Sequence, residues 1–204
     1  MSKGERTRKE ILDRAFVLAG EIGLEALSLG TLAAETGLSK SGLFAHFKSK
    51  EALQLDLLKE AVERFTETVV RPALKAPPGE PRVRALFERY QRWKSGEGAG
   101  SVLKQATGCI FMSLSHEYDD RPGPVRERLV EALCDWHDTI CRVAATAKKQ
   151  GDFRADLDTD LFAFEFMGIA MSHHHAERLL ELDAAERLNA AAFESLIARS
   201  RAPA

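Results

Sequence analysis

The chain has 204 residues, 45% of them hydrophobic and 29% charged, with a net charge of −2. That length and composition suit one well-cored domain, or a small domain on a larger one, and exclude a disordered or fibrous chain. A charge so near neutral excludes a global basic field of the kind that sequence-indifferent nucleic-acid binding needs. The charge is unevenly distributed, however. Residues 1–50 carry eight Lys/Arg against six Asp/Glu, and the remainder carries 21 against 25. The sign suits a DNA-reading head on an acidic body. Three cysteines without paired spacing, Cys109, Cys134 and Cys141, fit a reducing compartment better than a disulfide scaffold. The polar start MSKGER lacks an apolar signal core, and no run approaches 18 apolar residues. A cytoplasmic protein without a membrane partner is expected.

Helical periodicity runs throughout, with no convincing alternating strand. The expected fold is all-α, of about nine helices. Thr7 with Glu10 reads as a capping box opening a helix on Ile11, Leu12, Ala15, Phe16, Ala19 and Ile22, stopped at Gly23. Ser28 caps a second helix ending at Gly37, Ser39 a third over Lys40 to Phe47, and Ser49 a fourth. The fourth carries Leu53, Leu57, Leu58, Ala61 and Phe65 and should fade before Pro72. The segment APPGEP at 76–81 is the clearest break. A fifth helix follows from Pro81, with Val83, Leu86, Phe87, Tyr90 and Trp93 on one face. Gly96 to Gly100 interrupts it, and a sixth runs from Ser101 to about Tyr118. The seventh spans Pro124 to Gln150 along a stripe of Leu129, Leu133, Trp136, Ile140, Val143 and Ala147. Asp158 caps an eighth that is apolar nearly all round and should be buried on more than one side. Asp183 with Glu186 reads as the capping box of a last helix.

Three short helices before a long one, with the second and third joined across Thr36, Gly37, Leu38 and Ser39, fit a helix-turn-helix. Gly37 supplies the positive φ of a tight turn. Leu32, Leu38, Leu43 and Phe47 provide an apolar side for the third helix. Lys40, Ser41, Gly42 and His46 stay outside, suited to a major groove and its phosphates.

The stretch TLAAETGLSKSGLFAHFKSKEAL, Thr31 to Leu53, resembles the signature of the tetracycline-repressor (TetR) family, and the likeness runs from about Arg6 to Leu58. The resemblance implies a DNA-binding domain over 1–50, a fourth helix (50–71) that connects, and a ligand-sensing, dimerising domain over 51–204. It implies phosphate contacts from Thr7, Ser28, His46 and Lys50, and base or nearby phosphate contacts from Ser39, Lys40, Ser41 and Gly42. Where the family usually has a Tyr whose hydroxyl reaches a phosphate, this chain has Phe44, which could still pack on a thymine methyl or sugar. Arg6, Arg8 and Lys9 read either as a basic arm or as a frayed terminus.

Aromatic and sulfur side chains gather after Pro81. Phe87, Tyr90, Trp93, Phe111, Met112, Trp136, Phe164 and Met167, with Gln105, His116 and His137 among them, are candidates for a small-molecule pocket. Plain core packing is the competing reading for each apolar member. The family implies a ligand that lowers affinity for the operator, and an apolar one suits this lining. The last two helices are the expected homodimer surface, matching a palindromic double-stranded operator. No cofactor or metal is expected. Adjacent helical residues point about 100° apart, so His173, His174 and His175 cannot converge on one ion. Cys134, His137 and Cys141 share a stripe flanking the core and read as inert or dimer-facing, with metal or thiol sensing the lesser alternative. An enzyme using His116 or His137 as base lacks a readable nucleophile, orienter or phosphate loop. An architectural DNA-binding protein is disfavoured by the charge.

Overall fold

The computed structural model describes residues 3–95 and 109–203. These form α1 (Lys3–Ile22), α2 (Leu29–Thr36), α3 (Lys40–Phe47), α4 (Lys50–Phe65), a π-helical stretch (Thr66–Val70), α5 (Arg71–Leu74), α6 (Glu80–Lys94), α7 (Ile110–Tyr118), α8 (Pro124–Gln150), α9 (Thr159–Arg178) and α10 (Ala185–Ser200). The described residues contain no β-strand, only an isolated bridge between Phe153 and Arg201. The all-α expectation holds. The sixth helix of the sequence reading begins outside the described residues.

Two compact units result. One is built from Met1–Val70 and Tyr90–Ala132, the other from Arg71–Arg89 and Leu133–Ala204. In the first, α1 packs against α2, α4 and α7, and α3 packs against α2 and α4. Ile11, Leu12, Ala15 and Phe16 of α1, Leu32 of α2, Leu43 and Phe47 of α3 and Leu53, Leu57 and Leu58 of α4 are buried together in it. Each large side chain so buried contributes about 1.5–3 kcal/mol. Ion pairs brace the periphery: Arg14 to Glu35 at 2.8 Å, Arg64 to Glu60 at 2.7 Å, and Arg64 to Asp13.

Four expectations are corrected. Thr7 opens no helix, because α1 already runs from Lys3; Lys, Glu and Arg are good helix formers, and Glu5 sits in the first turn where the helix dipole favours an anion. Ile22 ends α1 exposed, and Leu24, one step past the left-handed Gly23 (φ +83°), takes the buried place. The fourth helix does not fade before Pro72. Winding continues to Leu74 through the π-helical stretch, whose wider hydrogen-bond spacing loosens the ladder just where proline lacks its N–H. Asp183 caps nothing: α10 starts at Ala185, whose own N–H donates to the Leu182 carbonyl at 2.9 Å.

In the second unit α9 packs along α10. Phe87 stacks on Phe193 with ring centres 3.7 Å apart, and Phe166 meets Phe87 edge-on at 5.4 Å. The entry to α6 is held by Asp152, whose carboxylate accepts from the Glu80 N–H at 2.8 Å. Gly79 (φ +104°) lies so close that a Cβ there would come within 2.0 Å of the same carboxylate, so no other residue fits without displacing the cap.

Glu80 accepts from Arg84 at 2.8 Å and from Arg201 at 2.7 and 2.8 Å. The Arg201 hydrogen bond above all, then that of Arg84, outweighs partial burial and holds the Glu80 carboxyl down at about 2, against an ordinary 4.5. A depressed carboxyl stabilises the fold above its unfolded value, and that contribution is lost as pH falls through its folded value. Part of the acid destabilisation between about pH 4.5 and 2 should therefore disappear in Glu80→Gln. Thermal melts across that range check this; an unchanged acid slope in the variant would contradict it.

Candidate nucleic-acid interface

The turn between α2 and α3 is built from local chemistry. Ser28 caps α2 by accepting from the Thr31 N–H at 3.1 Å, while the Thr31 hydroxyl accepts from the Ser28 N–H at 2.8 Å. Gly37 closes α2 in the left-handed region at φ +69°. Ser39 then caps α3, its hydroxyl accepting from the Gly42 N–H at 3.1 Å and lying 3.1 Å from the Ser41 hydroxyl. A Cβ on Gly42 would sit 3.2 Å from the Ser39 oxygen, so glycine here preserves the cap as well as a bare surface. Lys48 ends α3 at φ +64°, an uncommon conformation for a residue with a side chain, and its ammonium donates to the Ala45 carbonyl at 3.1 Å. Ser49 caps α4 through the Ala52 N–H at 3.0 Å.

Leu43 and Phe47 anchor α3 in the core, and Leu32 meets the expectation from α2. Leu38 does not; it is 39% exposed at the turn, because its side chain leaves the α2–α3 corner outward. Lys40, Ser41, Gly42 and Phe44 stand on the exposed side of α3, and Phe44 is 56% exposed. His46 is half-buried, its ring 6.2 Å from that of Phe47. Thr7 is half-buried within α1 rather than at a helix N-terminus. Arg8 is neither arm nor frayed end: it pairs with Asp56 and lies over the Phe47 ring at 5.1 Å.

Lys50 is engaged. Its ammonium donates to Glu25 at 2.7 Å, and that hydrogen bond is the main cause holding the Glu25 carboxyl below its ordinary range. Glu25 also accepts from the Tyr118 hydroxyl at 3.3 Å, and Arg121 lies 3.9 Å away. Behind it, Gln54 donates to the Leu24 carbonyl at 2.8 Å and to Tyr118 at 3.2 Å, while Glu117 accepts from the backbone N–H groups of Leu24 and Glu25 at 2.9 and 2.6 Å. Burial, then the Glu25 and Glu117 charges, push the Tyr118 phenol up. This polar network borders a cavity of about 370 Å³. Sequence reasoning missed it; the available signal was Gln54, a polar residue on the otherwise apolar face of α4.

The pocket candidates divide. Tyr90, Trp93 and Phe111 are buried around Phe65 in the first unit, at ring distances of 6.2, 5.5 and 5.7 Å. Met112 is half-buried there and His116 is exposed. Phe87 belongs to the second unit, where Trp136 meets Phe166 at 6.1 Å. His137 and Met167 are half-buried in that unit, but Phe164 is 73% exposed. Gln105 lies outside the described residues. Of the histidine run, His173 is buried with its Nε2 3.2 Å from Glu186 on α10.

The family model for bacterial regulatory proteins of the tetR family matches residues 11–57, and that for the tetracyclin repressor-like C-terminal domain matches 79–193. The HTH-type transcriptional repressor AcnR of Corynebacterium efficiens is 39% identical over 67 residues, 33% of this chain and 36% of AcnR; the chain thus matches only about a third of that relative's length. The HTH-type transcriptional repressor KstR2 of Rhodococcus jostii is 24% identical over 164 residues, 78% of this chain and 74% of KstR2. The crystal structure of a TetR-family transcriptional regulator from Cytophaga hutchinsonii superposes with a TM-score of 0.83 at 21% identity, covering 100% of this chain and 99% of that one. No helix among the described residues is long and apolar enough to cross a membrane.

Proposed function

Since the chain belongs to the TetR family of DNA-binding transcriptional regulators, we propose that it is a homodimeric repressor released from a palindromic operator by a small, largely apolar ligand. The observation that carries this is α3: Ser39 caps it, Leu43 and Phe47 anchor it, and Lys40, Ser41 and Phe44 remain exposed on it. Such a helix can enter a major groove with its N-terminal residues on base edges. Residues 1–50 form the reading head in this account, α4 connects, and residues 51–204 sense and dimerise. Both sequence relatives are named repressors, which favours repression here.

The dimer reading draws on α9 and α10. Leu161, Phe164 and Met171 of α9 and Leu188 of α10 are large, apolar and exposed in the single chain. Beside them a groove of about 530 Å³ runs between the two helices, lined partly by Gly168, Ser172, Ala176, Ala192 and Ser195. Small side chains permit close approach of a second copy's helices, and each large apolar residue covered adds about 1.5–3 kcal/mol. The ligand reading rests on the aromatic interiors of the two units, where a small apolar molecule would displace packing rather than charge. Such a ligand releases DNA only if it binds one arrangement of the dimer better than the other.

Binding of purified protein to DNA enriched from random duplexes tests the reading head. Lys40→Ala should relax the preference at particular base pairs, by about 1–3 kcal/mol each. Lys50→Ala should weaken binding to all sequences alike and lower the salt slope by about one. Glu25→Gln should have the opposite effect, because a phosphate must otherwise replace Glu25 on Lys50. Unchanged base preference in Lys40→Ala, or altered preference in Lys50→Ala, would overturn these assignments.

A further inference from the structure

We infer that His137, Cys141 and Asp160 form a binding site for a borderline-soft divalent cation, zinc being the best match. His137 and Cys141 are four residues apart on α8, one helical turn, and so share a face. Asp160 comes from the first turn of α9, whose backbone is fixed by Asp158 accepting from the Asp160 N–H at 2.9 Å. One potential ligand atom from each residue lies within 4.8 Å of the other two. All three residues belong to the same compact unit.

The finer geometry is informative. In a tetrahedral zinc site the metal–sulfur bond is about 2.3 Å and the bonds to nitrogen and oxygen about 2.0–2.2 Å, which sets sulfur about 3.6 Å from either of the other donors. Cys141 Sγ lies 3.7 Å from His137 Nδ1 and 3.8 Å from Asp160 Oδ1. Those two separations match the site closely; the His137 and Asp160 donors, within 4.8 Å of each other, must close to about 3.4 Å on binding. Hydrogen bonding alone explains the cluster poorly. The Cys141 thiol carries one proton, yet the Thr159 carbonyl at 3.4 Å and the Asp160 carboxylate both accept from it, with the imidazole beside them. A cation satisfies several acceptors at once.

The donor set narrows the occupant. Thiolate and imidazole favour zinc over magnesium or calcium, which take oxygen ligands. On binding, Cys141 coordinates as thiolate and its proton passes to solvent. Three protein ligands leave a fourth position for water, and Asp160 is exposed, so the ion can exchange with solution. The site would tie the middle of α8 to the first turn of α9.

Cobalt(II) titration of the full chain tests the site, because a thiolate ligand gives a charge-transfer absorption that oxygen or nitrogen ligands do not. The expected result is one cobalt per chain with that absorption, abolished by adding zinc. Cys134→Ser and a His174→Ala/His175→Ala variant should leave it intact. Cys141→Ser should remove the absorption, and His137→Ala or Asp160→Asn, each losing a direct ligand, should weaken affinity by more than the roughly 10–100-fold typical of losing an outer-shell partner. Alkylation of the unaltered protein gives a readout free of folding effects: zinc should slow modification of Cys141 while leaving Cys134 unchanged. The inference is overturned by absence of the charge-transfer absorption, by its survival in Cys141→Ser, by affinity indifferent to His137 and Asp160, or by zinc failing to protect Cys141.

Discussion

Phe47→Ala is expected to destabilise the DNA-reading head by about 3–5 kcal/mol and to reduce specific DNA affinity at least a hundredfold. Phe47 is only 1% exposed, at the end of the helix proposed to meet DNA, and Arg8 covers its ring from α1. Truncation removes most of an aromatic side chain from a site enclosed by several helices, so the space cannot simply collapse. Domains commonly hold only about 5–15 kcal/mol in total, so such a loss frees α3 from its support. The loss of affinity should come with a lower unfolding temperature. Phe44→Ala is the matched comparison: at 56% exposure it should change stability by less than about 0.5 kcal/mol while altering DNA preference. Equal melting temperatures for Phe47→Ala and the unaltered chain would contradict the anchoring role.

Phe164→Asp should convert the proposed dimer to a monomer without unfolding it. The side chain is 73% exposed in the single chain, so the carboxylate is hydrated whenever the partner is absent. In the proposed dimer the same carboxylate would be pressed into an apolar face, where an unpaired charge costs several kcal/mol. Light scattering should report a halved mass, and circular dichroism an unchanged helix content. Affinity for an inverted repeat should fall by about 10²–10⁴, because two linked heads bind one site far more tightly than one. A variant that stays dimeric would remove α9 from the interface.

The residues legible from sequence were those whose chemistry is local. Ser28, Ser39, Ser49 and Asp158 each cap the helix that follows them, because a short oxygen-bearing side chain meets an N–H only two or three residues on. The same rule fails at Thr7 and Asp183, where a good helix former upstream or a backbone carbonyl had already satisfied the start. Burial in α3 followed the spacing of Leu43 and Phe47, but Leu38 sits in a turn, where helical period has no meaning. What sequence could not offer was contact between distant segments. Lys50 meets Glu25 across 25 positions, Tyr118 meets Glu25 across 93, and Cys141 meets Asp160 across 19. None of these follows from a period or a motif. Each depends on how helices pack, and each changes the chemistry assigned to a residue whose type was already plain.

In the proposed complex, α3 reads a specific operator for a two-fold dimer. Selection of bound sequences from random duplex DNA by the purified protein tests it most directly. The expected result is enrichment of an inverted repeat, with half-sites about one helical turn or a multiple apart, and the enrichment should vanish with Phe47→Ala. No enrichment at moderate salt, or an enriched motif without two-fold symmetry, would contradict it.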